Sequence, residues 1–232
     1  MRQVALDTET TGMDIAAGNR ILEIGCIEIV QRVVTGRKFH VYLNPDRDSE
    51  PGALQVHGLT REFLADKPQF ADVVDELLDF IDGAELLIHN ASFDLGFLNH
   101  ELKLLSRTGR IEDQYAVLDT LTLARQLHPG QRNSLDALCK RYQVDNSGRS
   151  YHGALLDARL LADVYLAMTA GQGSLSLDMV SQGPALAASG SQVAVQIPRR
   201  RATDVEISKH EERVAELEKK SGNPSLWRDW AV

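Results

Sequence analysis

The sequence predicts an α/β protein in which a mixed β-sheet is flanked by helices and is followed by a flexible tail that ends in a short helix. Three runs rich in β-branched residues open the chain, separated by turns that contain glycine, which is typical of consecutive strands. From residue 70 onward, segments with the apolar spacing of helices alternate with short apolar runs. After Thr169 the composition changes to Gly, Ser, Gln and Ala without apolar periodicity.

The opening runs at residues 3–7, 20–30 and 38–44 predict an antiparallel meander, because they are consecutive and Gly-containing turns separate them. Beyond them the spacing predicts, in chain order, a helix over 70–81, a buried strand over 85–89, a helix over 93–105, a short apolar run over 117–119, a helix over 120–127, a helix from its N-cap Ser134 to Arg141, and a last helix over 153–169. Alternation of strands and helices after a meander predicts a mixed sheet.

Composition divides the chain into a folded domain over residues 1–170, a flexible linker over 171–202 and a C-terminal segment over 203–232. A helix is expected in the last part, because Thr203 and Glu206 stand at capping-box spacing. Its narrow apolar stripe and the tryptophans after it comprise Ile207, Val214, Leu217, Trp227 and Trp230. Such a segment is too short to form a core, and we interpret it as docking on another protein. The alternative is that it docks on the main domain.

Composition also excludes several classes of protein. With 43% hydrophobic and 25% charged residues, the 232-residue chain can bury a core and is not disordered as a whole. No window reaches the roughly 20 apolar residues of a membrane span, and the first residues lack a signal-peptide pattern, so we expect a cytoplasmic protein. The two cysteines, Cys26 and Cys139, lie in apolar patterns and are expected to be reduced core residues.

The net charge of −8 is unusual for a protein that holds nucleic acid alone, because such proteins present basic surfaces to the phosphates. If the substrate is nucleic acid, either divalent metals offset part of the repulsion or a partner holds the polymer.

Carboxylates at three places in the chain suggest a metal site. Asp7 and Glu9, two residues apart near the end of the first strand, should face the same side. Asp94 lies in the first turn of a predicted helix and on its core side, where complementing the helix dipole is the alternative role. Asp157 stands on the apolar stripe of the last helix, where no matched cation is present. A buried carboxylate there requires a cation partner.

His152 precedes the last helix by about one turn, between Gly148 and Gly153, which leave the backbone adjustable. An isolated loop histidine is usually a surface residue. Beside a carboxylate cluster, however, a side chain whose ordinary pKa lies near neutrality suits a general base.

Together, Asp7, Glu9, Asp94 and Asp157 are predicted to hold two divalent cations, Mg²⁺ or Mn²⁺, because hard cations prefer oxygen ligands. Two-metal sites of this kind carry out phosphoryl transfer. The expected reaction is phosphodiester hydrolysis with His152 as the general base, releasing a nucleoside 5′-monophosphate.

Three segments, LDTETTG at the start, HNASFD around Asp94 and YHGALLDA around Asp157, resemble the three exonuclease motifs of the DEDDh family of 3′→5′ exonucleases. The resemblance implies a ribonuclease-H-like fold. It also implies that the four carboxylates are the metal ligands, that His152 is the base, and that Asp7, Glu9 and Asp157 contact the substrate as well.

The same resemblance implies further contacts with the substrate. The segment QVHGLT places His57 in a loop similar to the family's substrate loop, and the alternative is a turn histidine before Gly58. Thr8, through its backbone, Asn90 and Phe93 resemble other substrate contacts of the family, although Phe93 could equally be a core residue.

Residues 172–177, QGSLSL, resemble the Gln-x-x-Leu-x-Leu peptide by which replication proteins bind the hydrophobic pocket of the sliding clamp (beta). The residues assigned to this motif are Gln172, Ser174, Leu175 and Leu177. An accidental match in a linker is the alternative.

The clamp peptide, the spacer and the terminal helix together resemble the layout of proofreading subunits of bacterial replicative polymerases. This layout implies binding to the single-stranded 3′ end of primer DNA, to the polymerase (alpha) subunit and to the clamp, and it leaves open a small theta-like subunit. A flexible tether can reach millimolar effective concentration, which would compensate for weak intrinsic DNA binding. The rival interpretations are an exoribonuclease that trims RNA 3′ ends and a catalytically idle adaptor.

Overall fold

The structure is a computed structural model that describes residues 1–147, 151–170, 202–222 and Pro224. The chain divides into two compact units, Met1–Ser176 and Leu177–Val232.

The first unit is organised around a five-stranded sheet. Its strands are β1 Arg2–Thr10, β2 Ile21–Val30, β3 Val33–Tyr42, β4 Glu85–Ile88 and β5 Val117–Asp119, in the spatial order β3-β2-β1-β4-β5. The first three strands pair antiparallel, as the meander predicted. β4 is parallel to both β1 and β5, so the sheet is mixed, as predicted.

Helices cover both faces of this sheet. In chain order they are a 3₁₀ turn Ile15–Ala17, α1 Pro51–His57, α2 Arg61–Leu64, α3 Phe70–Ile81, α4 Ala91–Leu104, α5 Ile111–Gln114, α6 Thr120–Leu127, α7 Leu135–Tyr142 and α8 Ala154–Met168. The predictions for 70–81 and 120–127 match end to end. Ser134 caps α7 as expected, by accepting a hydrogen bond from the backbone N–H of Ala137.

Strand alternation sends neighbouring residues of β1 to opposite faces of the sheet. Val4 and Leu6 pack in the cluster that contains residues of α3 and α4, whereas Ala5 packs with residues of α7 and α8. Both cysteines are buried thiols, as predicted. Burial raises the pKa of the Cys26 thiol.

Gly25 allows the start of α8 to lie directly on the sheet. A Cβ at this position of β2 would overlap the backbone of Ala154 and Leu155. Gly25 is also the cross-strand partner of Asp7. This close approach therefore brings the first turn of α8 to the part of β1 that carries the carboxylates.

The prediction of a loop around His57 is wrong, because His57 is the last residue of α1. The helix begins at Pro51, whose fixed φ suits a first helical position, and ends at Gly58, which adopts the left-handed conformation at φ 70°. The predictions also omitted α2 and α5, each a single turn.

The second unit contains α9, Asp204–Ser221. The predicted capping box is present: Thr203 accepts a hydrogen bond from the backbone of Glu206, whose side chain accepts one from the backbone of Thr203. Val214 is buried, whereas Ile207 and Leu217 are exposed.

The predicted clamp-binding residues, Gln172, Ser174, Leu175 and Leu177, and the tryptophans Trp227 and Trp230 lie outside the described residues. In the part of the chain that the structure describes, no helix has the length and apolar character required to span a bilayer.

Candidate active site

The first two carboxylates lie near the carboxyl end of β1, next to the parallel strand β4. Asp7 and Glu9 are half-buried and face the α8 side of the sheet, as their two-residue spacing predicted. Thr8 between them is buried and faces the opposite side. The register between β1 and β2 shifts just after Glu9.

Asp94 is held to β1 by hydrogen bonds from one residue. Its Oδ1 accepts both the backbone N–H of Thr8 at 3.0 Å and the Thr8 hydroxyl at 2.7 Å. The carboxylate lies in the first turn of α4 and is 3% exposed, in agreement with the predicted core-side position. Burial raises the pKa of Asp94 to about 7, and the hydrogen bonds from Thr8 oppose this shift.

Asp157 lies in the first turn of α8 and is buried. Its position on the apolar stripe is as predicted, since Leu160, Leu161 and Val164 on later turns are buried as well. The backbone N–H of Asp157 donates to the carbonyl of Gly153 at 2.9 Å, which begins the helix. The side chain is thereby fixed by the position of the α8 N-terminus.

His152 is joined to two other parts of the site. Its Nδ1 lies 3.4 Å from Oδ2 of Asp157, and the imidazole is 44% exposed. Its backbone N–H donates to the carbonyl of Val56 in α1 at 3.0 Å. The segment that carries the predicted base is therefore attached to the helix that carries His57.

The described residues include one group of side chains that could share a metal ion. Ligand atoms of Glu9, His152 and Asp157 all lie within 4.8 Å of one another. Asp7 lies two residues from Glu9 on the same face of β1, and Asp94 is hydrogen-bonded to Thr8, the residue between them. Oxygen-rich donor sets of this kind fit hard divalent cations such as Mg²⁺ and Mn²⁺.

His57 is buried beside this cluster in a defined hydrogen-bonding state. Its Nδ1 accepts the backbone N–H of Leu59 at 2.9 Å, so the proton of the neutral ring resides on Nε2. Nε2 is buried and has no hydrogen-bond partner among the residues that the structure describes. Burial lowers the pKa of His57, an effect that Glu23 opposes. The neutral ring therefore offers a single donor.

The other predicted substrate contacts occupy varied environments. Asn90 is exposed and adopts the left-handed conformation at φ 72° as the N-cap of α4. Phe93 is half-buried, and its ring centroid lies 5.0 Å from that of Phe97, so it packs on the core. The backbone N–H of Thr8 is engaged by Asp94. Their contacts with substrate remain predictions.

One buried acid beside the cluster was missed by the sequence analysis. Glu23 of β2 is 2% exposed and is the cross-strand partner of Glu9, so both face α8. Its Oε1 lies 2.8 Å from Nε2 of His40. Its burial gave no signal in the sequence, because Glu23 alternates with apolar residues and a second acid, Glu28, lies on the same strand.

Comparison with known proteins identifies relatives along almost the whole chain. The family model described as "Exonuclease", RNase T, matches residues 4–165. The epsilon subunits of DNA polymerase III from Salmonella typhimurium and Escherichia coli are 52% and 51% identical, over 98% of this chain and 97% of each relative. The epsilon subunit of Haemophilus influenzae is 46% identical over 97% of this chain and 94% of its own length.

Solved structures share the fold. Exonuclease X in complex with 5′-overhanging duplex DNA is 26% identical, with a TM-score of 0.59 over 74% of this chain and 93% of that protein. The nuclease domain of 3′hExo, a DEDDh family member bound to rAMP, has a TM-score of 0.62 over 72% of this chain and 90% of its own, at 16% identity. The predicted exonuclease fold is thereby confirmed.

Proposed function

Because the chain belongs to the RNase T family of exonucleases and is, like the epsilon subunits of DNA polymerase III, a 3′→5′ proofreading exonuclease, we propose the following roles for its residues. It removes a mispaired 3′-terminal nucleotide by hydrolysing the last phosphodiester bond. The single observation that carries this mechanism is the convergence of Glu9, His152 and Asp157 within 4.8 Å at the end of β1.

Four carboxylates, those of Asp7, Glu9, Asp94 and Asp157, would hold two divalent cations, either Mg²⁺ or Mn²⁺. The donor set supports this assignment, because a buried carboxylate such as that of Asp157 requires a compensating cation. When bound, the cations would lower the pKa of the attacking water and stabilise charge on the departing 3′ oxygen.

His152 would accept the proton of the attacking water. The adjacent carboxylate of Asp157, 3.4 Å from Nδ1, would hold the ring in position for this step. Because the side chain is 44% exposed, the proton can then pass to bulk water. The contact with Asp157 and the exposure of the ring to solvent support a general base at this position.

His57 would donate its Nε2 proton to an oxygen of the terminal nucleotide. The unpartnered Nε2 and the lowered pKa support this role, since a neutral ring with one committed nitrogen presents a donor of fixed direction. Asn90, Phe93 and the backbone of Thr8 would complete the contacts with the 3′ end.

The acidic chain would depend on partners to stay at the primer terminus. A net charge of −8 disfavours tight binding to DNA by the chain alone. The C-terminal segment would bind the polymerase (alpha) subunit and residues 172–177 the sliding clamp, within the cytoplasmic replication machinery. Binding to a theta-like subunit is compatible with the same assembly.

Release of nucleotides from a 3′-mispaired primer tests this proposal, with matched DNA and RNA substrates, in Mg²⁺ and in EDTA. We expect faster removal of the mispaired than of the paired DNA terminus, with no activity in EDTA. His152→Ala should reduce the rate by about 100-fold or more, as expected for loss of a general base. His100→Ala, in α4 and outside the cluster, provides the matched control. Equal or faster cleavage of RNA would instead favour an exoribonuclease.

A further inference from the structure

Glu23 is a buried carboxylate that the hydrolytic mechanism does not use. It is 2% exposed and faces α8 from β2, directly opposite Glu9. His40 contacts its Oε1 at 2.8 Å, and the His40 ring is itself packed edge-on against Tyr42 at 4.8 Å. Removing a carboxylate from water costs several kcal/mol without such compensation, so its burial calls for further partners.

The N-terminus of α8 provides a second source of compensation. A Cβ on Gly153 would lie 3.8 Å from Oε2 and 3.9 Å from Oε1 of Glu23, so the carboxylate lies against the N-cap residue of α8. Helix N-termini have a partial positive charge and unpaired N–H groups. Gly153 has no side chain with which to cap them.

We propose that Glu23, held by His40, is a positioning residue that fixes the N-terminus of α8 and thereby sets His152 and Asp157 relative to Glu9. Gly153 directly follows His152 and accepts the backbone hydrogen bond of Asp157. A displacement of the helix start therefore moves the base and a carboxylate ligand together. The catalytic meaning of this role rests on the proposed function, whereas the structural role does not.

The cluster is sensitive to such a displacement. Its ligand atoms must stay within the observed 4.8 Å to share an ion, and a misplacement of about 1 Å can reduce an enzymatic rate by about 100-fold. Residues that orient metal ligands typically change metal affinity or activity by about 10- to 100-fold when substituted. Glu23 is expected to act at the lower end of this range, because it contacts no reacting atom.

Glu23→Gln tests the proposal, since it removes the charge while preserving size. Glu28→Gln is a matched control: Glu28 is on the same strand and 3% exposed, but it pairs with Arg2 and Arg37 at the other end of the strand. Two measurements in the full-length chain do not depend on catalysis. These are hydrogen exchange of the backbone amides of residues 154–157, in metal-free protein, and direct Mn²⁺ binding.

For Glu23→Gln we expect exchange at the start of α8 to be about 5-fold faster or more, Mn²⁺ binding to be about 10-fold weaker, and kcat on single-stranded DNA to fall with little change in KM. His40→Ala should change amide exchange, Mn²⁺ affinity and kcat in the same directions, and His40→Gln should change them less. The double variant Glu23→Gln with His40→Ala should show less than the sum of the two separate effects. Glu28→Gln should leave the three quantities within 2-fold of wild type.

Hydrogen exchange and Mn²⁺ affinity in Glu23→Gln that match those of Glu28→Gln would overturn the positioning role. If wild type lacked metal-dependent hydrolysis, the proposed function would fail by itself. The exchange measurement would still decide whether Glu23 fixes the start of α8.

Discussion

Thr8 donates two hydrogen bonds to a single oxygen of Asp94, from its backbone N–H at 3.0 Å and from its hydroxyl at 2.7 Å. Thr8 lies between Asp7 and Glu9 in the strand, so one residue sets the position of the third carboxylate with respect to the first two. These hydrogen bonds also favour the ionised form of Asp94, against its burial.

Thr8→Val should therefore weaken metal binding at neutral pH. Loss of the hydroxyl removes one donor and allows the pKa of Asp94 to rise further, so that less of the carboxyl is ionised at pH 7. We expect the Mn²⁺ concentration for half-maximal nucleotide release to rise several-fold at pH 7 and the defect to shrink at pH 9. Thr8→Ser retains the donor and should behave like wild type; an equal defect at both pH values would contradict the explanation.

Asp94→Asn should stabilise the metal-free protein in a pH-dependent manner. The folded-state pKa of Asp94, about 7, lies above the ordinary value of 3.8, so the folded state loses stability as the pH rises between these values. The substitution removes this loss. In urea unfolding with EDTA, we expect the gain in the free energy of unfolding over wild type to be about 1–3 kcal/mol larger at pH 8 than at pH 5. The variant should not hydrolyse DNA. The same change at both pH values would exclude burial of the charge as the cause.

Gly25→Ala should damage both stability and catalysis. The added methyl group overlaps the backbone of Ala154 and Leu155, and backbone cannot move aside as a flexible side chain can. We expect a loss of about 1–3 kcal/mol or more in the free energy of unfolding, together with loss of nuclease activity as Asp157 is displaced. Gly52→Ala is the control, because no atom lies within 4 Å of the added Cβ. Full activity in Gly25→Ala would show that α8 can shift without affecting the site.

Alanine substitutions at Gln172, Leu175 and Leu177 should weaken binding to the sliding clamp and leave hydrolysis of free primer unchanged. The reason is that the predicted motif lies outside the predicted exonuclease domain, residues 1–170. Surface plasmon resonance with immobilised clamp measures this directly. A control variant in which Ser181, Gln182 and Leu186 are replaced by Ala has a similar change in composition. Equal clamp affinity in both variants would remove the motif from the functional account.

A helix could be predicted from the sequence where the spacing of its apolar residues matches the spacing of its buried residues. Both ends of helix α3 were predicted correctly, because its large apolar residues recur at helical spacing and pack on the core. The helix α1 was missed, because Gly52 and the β-branched Val56 have low helix propensity and tertiary contacts prevail. The placement of His57 failed for the same reason.

The residues of the candidate site could be predicted from the sequence, but their arrangement in space could not. Asp157 was recognisable as a carboxylate on an apolar stripe, and its burial is confirmed. The role of Thr8 as a double donor to Asp94, by contrast, depends on a contact between residues 86 positions apart. Glu23 alternates with apolar residues as solvated strand residues do, so only the sheet register reveals that it is buried opposite Glu9.

The site draws residues from both ends of the catalytic unit: Asp7 comes from the first strand and Asp157 from the last helix before residue 170. During synthesis the chain emerges from its N-terminus, and a domain folds as a unit once its parts are available. On the proposed roles, a ribosome-bound chain that has not yet released residues 152–157 has neither the base nor the last carboxylate ligand. We therefore expect the nuclease to be inactive throughout most of its own translation.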